Sequence, residues 1–211
     1  LAPPRPSGTV IGEVSPAVAR RLGLPAGVRI VVGGHDQCCN ALGAGIGAAG
    51  RAVCGIGSFE CLTPVYDRIP PADPMLRHGL NVEHHILPGL YVSFIYNQGG
   101  LLVKWFRNTF AAEAPAEGLY GRLDAEMPAE PTRLMVLPYF DVTGPPEFVD
   151  DASGVIAGLK MGTTRGEILK AILEGETFYF RAGLEALREL GINTTEFVAM
   201  GLLTDIARDL S

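Results

Sequence analysis

Two short clusters in this sequence carry residue types that could do chemistry together. The first is Gly33-Gly34-His35-Asp36-Gln37, at the end of the apolar run Val28 to Val32. An acid just past two glycines, at the expected first turn of a helix, sits where an open α/β sheet places its reacting groups. The second is Gly55-Ile56-Gly57-Ser58, which closes another apolar strand. Glycine lets backbone N–H groups come close to an anion, so Gly55, Gly57 and Ser58 suit a phosphate-type ligand. A carboxylate and an amide-lined turn on neighbouring elements read together as a proton acceptor facing an anion site. Each has a plainer reading as well. Asp36 could be a helix N-terminal acid favoured by the macrodipole, worth about 0.3–1 kcal/mol, and an isolated Gly-x-Gly is often only a turn. His35 and Gln37 flank the acid, as substrate contacts or as ordinary turn residues.

The elements that must hold these clusters are legible in outline. A short strand is expected near Val10-Ile11, then a small helix with Ser15 as N-cap, Pro16 in the first turn and Gly23 as its stop. The run Val28–Val32 reads as a buried strand, and a helix follows from Asp36 to about Ile46. Further strands are expected at Ala52–Gly57, Leu80–His85 and Tyr91–Tyr96, the last two forming an antiparallel hairpin around Pro88-Gly89. Gln98–Phe110 spaces Leu101, Leu102, Trp105 and Phe106 like one apolar helix face. A surface helix with flanking loops occupies 111–130, Leu134–Leu137 is a short strand, and Tyr139–Ser153 is a Pro/Gly-rich loop long enough to suggest function. Thr164-Arg165-Gly166-Glu167 is a capping box opening a long helix that Gly191 stops. Its expected buried stripe runs from Ile168 through Ile172, Phe178 and Tyr179 to Leu190. Glu196–Met200 is the last expected strand. Strands interleaved with helices, with a hairpin inserted, make a mixed-sheet α/β fold.

Composition narrows the function classes. The 211 residues are 47% apolar and 19% charged with 27 glycines, as suits a globular α/β chain rich in tight turns. A formal charge of −6 argues against nucleic acid, whose binding needs a basic surface. No apolar run approaches the roughly 20 residues of a membrane span, and the opening Leu1-Ala2-Pro3-Pro4-Arg5-Pro6 is not a signal peptide. Cysteines at 38, 39, 54 and 61 lack disulfide-like spacing, so reduced thiols in the cytoplasm are expected. They also lack the paired spacing of structural zinc sites, and Cys38 and Cys39 would point about 100° apart on a helix. No metal site is expected from them.

The motifs around Asp36 resemble the FGGY family of carbohydrate kinases, and the resemblance runs nearly the length of the chain. Gly12-Glu13-Val14-Ser15-Pro16 through Gly27 is similar to the family's lead-in to its catalytic strand. Gly33-Gly34-His35-Asp36 matches its catalytic acid motif, and Gly55-Ile56-Gly57-Ser58 resembles its Gly-Thr-Ser phosphate loop with Ser58 in the Thr position. Gly99-Gly100 with Trp105, then Leu137-Pro138-Tyr139-Phe140, Gly144-Pro145-Pro146 and Gly154-Val155-Ile156-Ala157-Gly158-Leu159, and Ala171-Ile172-Leu173-Glu174-Gly175 follow in the family's order. Two features depart. The family's Asp-x-Gly-Thr strand, which grips phosphate and magnesium, is not in this sequence. Its Gly-Gly-Gly adenine loop reads Gly201-Leu202-Leu203 here. The chain therefore reads as an internal piece of a kinase, or a degenerate copy, with part of the nucleotide site missing or altered.

The resemblance implies an actin-like (ribonuclease H-like) architecture of two domains closing on a cleft. Residues 1–50 would end the N-terminal sugar-binding domain, and 51–211 would form most of the C-terminal nucleotide-binding domain. It also implies ATP-dependent phosphorylation of a sugar or polyol hydroxyl, with Asp36 as general base, Gly55, Gly57 and Ser58 toward phosphate, and His35 and Gln37 toward substrate. ATP and Mg2+ are the cofactors expected, a sugar or polyol the small-molecule partner, and a homodimer the assembly to consider. A carboxylate suits the role, because a hydroxyl is a poor nucleophile near neutral pH and needs its proton removed as the bond to phosphorus forms. The alternative is a non-catalytic actin-like fragment or regulatory sugar-binding module that lacks a complete nucleotide site.

Overall fold

The computed structural model describes residues 3–115 and 117–201. Its centre is a six-stranded sheet built from β3 (Arg51–Ile56), β4 (Glu60–Tyr66), β5 (Glu83–His84), β6 (Tyr91–Val92), β7 (Ile95–Asn97) and β10 (Glu196–Gly201), in the order β10-β3-β4-β6-β5 with β7 also on β4. β10 runs parallel to β3, and the other pairs are antiparallel. Before it come β1 (Val10–Glu13), α1 (Pro16–Leu22), β2 (Arg29–Val31) and α2 (Asp36–Gly43). The remaining elements are α3 (Ala72–Arg77), α4 (Gly99–Phe110), α5 (Leu119–Glu126), the paired strands β8 (Met135–Leu137) and β9 (Val155–Ala157), and α6 (Arg165–Glu189).

Strand alternation divides the core between the two faces of this sheet. Val53, Cys61 and Val65 point to one face, where Cys38, Ala41 and Ile46 from α2 and its exit meet them. Ala52, Leu62 and Ile95 point to the other, where Tyr179, Phe180 and Leu187 of α6 cover them. A third cluster, around Leu102, Phe106, Leu123 and Ile172, joins α4, α5 and α6. So α2, which begins at Asp36, lies on one face of the strands whose turn carries Gly57.

Local chemistry accounts for the helix ends. Thr164 and Glu167 form the expected capping box at the start of α6. Ser15 Oγ accepts from Val18 N–H at 3.4 Å at the start of α1. α2 stops at Gly43, short of Ile46, because Gly45 takes φ +77°. There Ile46 N–H reaches Ala41 O and Gly45 N–H reaches Leu42 O, each at 2.9 Å, the bonding of a Schellman motif.

Other expectations are corrected. The Val28–Val32 run is not buried: its strand is Arg29–Val31, paired only with β1 among the described residues, with Ile30 and Val31 43% and 50% exposed. The expected hairpin does pair Glu83 with Val92 and His84 with Tyr91, but Leu80 instead packs behind α3, its N–H bonded to Met75 O. The expected strand Tyr91–Tyr96 is broken into β6 and β7. Phe178 falls outside the buried stripe of α6, which is completed by Phe180. β4, β9 and α3 were not expected from the sequence. The altered adenine-loop residues Leu202 and Leu203 lie outside the described residues.

Candidate active site

His35 is the N-cap of α2, its Nδ1 accepting from Gln37 N–H at 3.2 Å. Its ring stacks on Phe94, with centroids 4.6 Å apart and planes at 26°. Gly34 lets the chain enter the helix tightly, since a Cβ there would lie 1.9 Å from Ile86 Cδ1. Asp36 then occupies the first turn, where the helix N-terminus favours a negative charge. Its Oδ1 accepts from Gln37 N–H at 2.7 Å and lies 3.1 Å from His35 Nδ1. The Asp36 side chain is 85% exposed, so the carboxylate is held from below and open to a ligand above.

The second cluster is the hairpin turn joining β3 to β4. Gly57 N–H donates to Phe59 O at 3.0 Å inside the turn, and Leu101 N–H donates to Ser58 O at 3.0 Å, tying the turn to the first turn of α4. Neighbouring backbone comes close. A Cβ on Gly100 would lie 2.0 Å from Gly57 O, and one on Gly201 would lie 1.9 Å from Ile56 O. Ser58 is exposed at the tip. Gly55 sits inside the ladder, paired with Cys61 on β4 and Met200 on β10. Its backbone is part of the sheet, and its missing side chain makes room for two amides: a Cβ there would lie 3.2 Å from Asn40 Nδ2 and 3.3 Å from Gln37 Oε1.

Two adjoining hollows join the clusters. One, of about 350 Å³, is lined by His35, Asp36, Gln37, Phe59, Cys61, Phe94 and Tyr96. The other, of about 440 Å³, is lined by Gln37, Asn40, Gly55, Ile56, Gly57, Phe59, Met200 and Gly201. Gln37 and Phe59 line both, so the acid and the turn open at the same end of the sheet. Gln37 Oε1 is enclosed there without a hydrogen-bond partner among the described residues. Burial pushes the Cys38 and Cys61 thiols up to about 11 each, which keeps them neutral as packing groups beneath the site. Among the described residues, no three His, Cys, Asp or Glu side chains come close enough to hold a metal ion. Among them, too, no helix is long and apolar enough to cross a membrane.

The structure brings His35, Asp36, Gln37, Gly55 and Gly57 to this one end of the sheet. It adds residues that sequence reasoning did not single out for a site: Asn40, Phe59, Phe94 and Tyr96. Asn40 had a signal, since it lies one helical turn after Asp36 and Gln37. The aromatic residues had none, because their meeting depends on β7 pairing with β4. Glu174 is placed as a structural partner, accepting from Thr132 N–H and Oγ1.

Comparison with known proteins agrees with the motifs. Residues 63–201 match the FGGY family of carbohydrate kinases, C-terminal domain. The chain is 28% identical over 191 residues to the xylulose kinase of Bacillus subtilis, covering 90% of this chain and 38% of that protein. It is 33% identical over 117 residues to the autoinducer-2 kinase of Klebsiella pneumoniae, covering 54% of this chain and 21% of that one. In three dimensions it is similar to the crystal structure of xylulose kinase from Rhodospirillum rubrum, with a TM-score of 0.80 and 29% identity over 98% of this chain and 41% of that one. The chain thus spans about 40% of the length of the xylulose kinases it matches, and its mixed α/β fold is the actin-like one of these sugar kinases. With the motifs in order and two thirds of the chain inside one domain description, this chain belongs to the FGGY family of carbohydrate kinases.

Proposed function

We propose that this chain carries the general base and one phosphate-binding turn of an ATP-dependent carbohydrate kinase. The observation that carries the reading is the pair of adjoining hollows in which Asp36 and the Gly57 turn share Gln37 and Phe59 as walls. In this account the hydroxyl of a sugar or polyol lies over Asp36, which accepts its proton as the oxygen attacks the γ-phosphorus. His35 and Gln37 orient that hydroxyl, and the aromatic rings of Phe59, Phe94 and Tyr96 flank the carbon chain. The exposed tip around Gly57 and Ser58 faces the transferred phosphoryl group. Gly55 acts through space, letting Gln37 and Asn40 settle against β3 and so fixing the distance from base to turn.

ATP supplies the phosphoryl group, and Mg2+ would be held chiefly by the nucleotide's own phosphates, as this hard ion commonly is. A ketose such as xylulose is the first substrate to try, given the named relatives. We place the boundary between sugar-binding and nucleotide-binding parts near residue 50. In support, β3 at Arg51 opens the sheet that β4 and β10 complete.

In the full-length protein, Asp36→Asn should lower kcat by about 10²–10⁴ while nucleotide affinity stays within about twofold. A variant with near-wild-type turnover and an intact fold would remove Asp36 from the base role.

A further inference from the structure

Glu176 is an anomaly in the core. It lies on the covered face of α6, 4% exposed, and neither carboxylate oxygen has a hydrogen-bond partner among the described residues. Its surroundings can be located by following α6 across the sheet. A Cβ on Gly183 would lie 2.7 Å from Ile95 Cδ1, and Tyr179 Oη donates to Tyr96 O at 3.2 Å. Moving back along α6 therefore follows β7 forward, toward Asn97, and the next residue on that helix face is Glu176. Asn97 pairs in register with Glu60, and Leu62 two residues on lies in the α6-facing core, so Glu60 points to the same side.

Glu60 comes directly after the Gly57–Phe59 turn. Its Oε1 accepts from Cys54 Sγ at 3.0 Å, and its Oε2 lies 2.8 Å from where a Cβ of Gly99 would be. Two carboxyl groups thus stand behind the turn, Glu176 buried on α6 and Glu60 part-buried between β4 and the start of α4.

We propose that Glu60 and Glu176 are a pair of neighbouring carboxyl groups that leaves the phosphate turn undisturbed while one of them keeps its proton and displaces the turn when both become ionised. This rests on the assignment of the Gly57–Phe59 turn to phosphate. Two anions at such poorly exposed positions repel with little solvent screening. Glu60 follows the turn directly, so the repulsion bears on the turn and strains its backbone contacts with α4.

The titratable neighbours are few. Glu60 faces Glu176 from β4, with Cys54 of β3 behind it. Tyr179, on α6 beside Glu176, faces Tyr139 and Glu147 of the loop after β8, and its phenol is held neutral by burial and by the Glu147 hydrogen bond. No cationic side chain among the described residues offsets the pair. Burial first, and then the charge of Glu60, push Glu176 up to about 8. Burial also raises Glu60, against the lowering effect of its bond from Cys54.

The test is the affinity of the full-length protein for a non-hydrolysable ATP analogue across pH, in wild type, Glu176→Gln and Glu60→Gln. Wild-type affinity should fall about tenfold from about pH 7 to about pH 9, as for one proton titrating near 8. Both variants, which carry only one ionisable carboxyl, should match wild type at neutral pH and hold that affinity to about pH 9. Either variant alone suffices if the other does not fold. A flat wild-type profile, or a variant that declines in parallel with it, overturns the pair as a device while leaving the phosphate turn standing. Absence of analogue binding at every pH overturns the phosphate turn, and the device with it.

Discussion

Asp36 stands in solvent, yet everything beneath it is fixed: His35 stacked on Phe94, Gln37 wedged against Gly55, and Cys38 fully buried under the sheet. In the proposed base role, what matters is where the oxygen points, which the N-cap and first turn of α2 decide. Glu176 is the opposite case, a carboxyl group with no freedom and no hydrogen-bond partner among the described residues. Because its folded state holds the proton up to about 8, against 4.5 for the free group, it binds more protons folded than unfolded across that window. Its contribution to stability is fully present below about pH 4.5 and is lost as pH rises through about 8. Glu176→Gln does not titrate. Thermal melts should therefore show the variant gaining on wild type from about pH 5 to about pH 8, by at most about 1.4 kcal/mol per pH unit. Parallel melting curves across that range would mean that Glu176 is not buried as a neutral acid.

At the scale of elements, the turn between β3 and β4 is held by close backbone approach more than by side chains. Gly100→Ala would drive a methyl group into Gly57 O, so the turn or α4 must shift, with an expected loss of about 1–3 kcal/mol. Nucleotide affinity in the full-length protein should drop with it. An alanine variant with unchanged melting and affinity would show that this contact does not set the turn. Thr164→Ala removes the cap of α6 and should cost about 1 kcal/mol in a denaturant titration. That cap was plain in the sequence because capping is local chemistry. So were the α1 start at Ser15-Pro16 and the strand-to-helix entry at Asp36. β4 was not legible, since Pro64 in the middle of Glu60–Tyr66 argues against a central strand. The structure accommodates it where the ladder is interrupted: β4 pairs with β7 at Glu60–Leu62 and with β6 at Val65–Tyr66, leaving Pro64 between. The exposure of β2 was equally hidden, because an apolar run does not say which layer covers it. The candidate acid could be read from Gly33-Gly34-His35-Asp36, but Asn40 and the aromatic walls become neighbours only through long-range pairing.

For the whole molecule, the chain spans about 40% of the xylulose kinases it matches, and its β1–β2 ribbon leaves Val10, Ile11, Ile30 and Val31 in solvent. A sugar kinase closes two domains on its substrates, excluding water as the reacting atoms meet. We expect the 211-residue chain by itself to consume no ATP in the presence of xylulose or glycerol. Turnover by the purified chain that Asp36→Asn abolishes would show the catalytic apparatus to be self-sufficient. The central claim is that Asp36 and the Gly57 turn serve one reaction across one cleft. A crystal structure of the full-length protein with a non-hydrolysable ATP analogue and its sugar tests this most directly. The account predicts a substrate hydroxyl in hydrogen-bond reach of Asp36, within about 3–3.5 Å of the γ-phosphorus, with the phosphoryl oxygens against the Gly57–Ser58 tip. A sugar bound with every hydroxyl away from Asp36, or a γ-phosphate seated elsewhere than this turn, would contradict it.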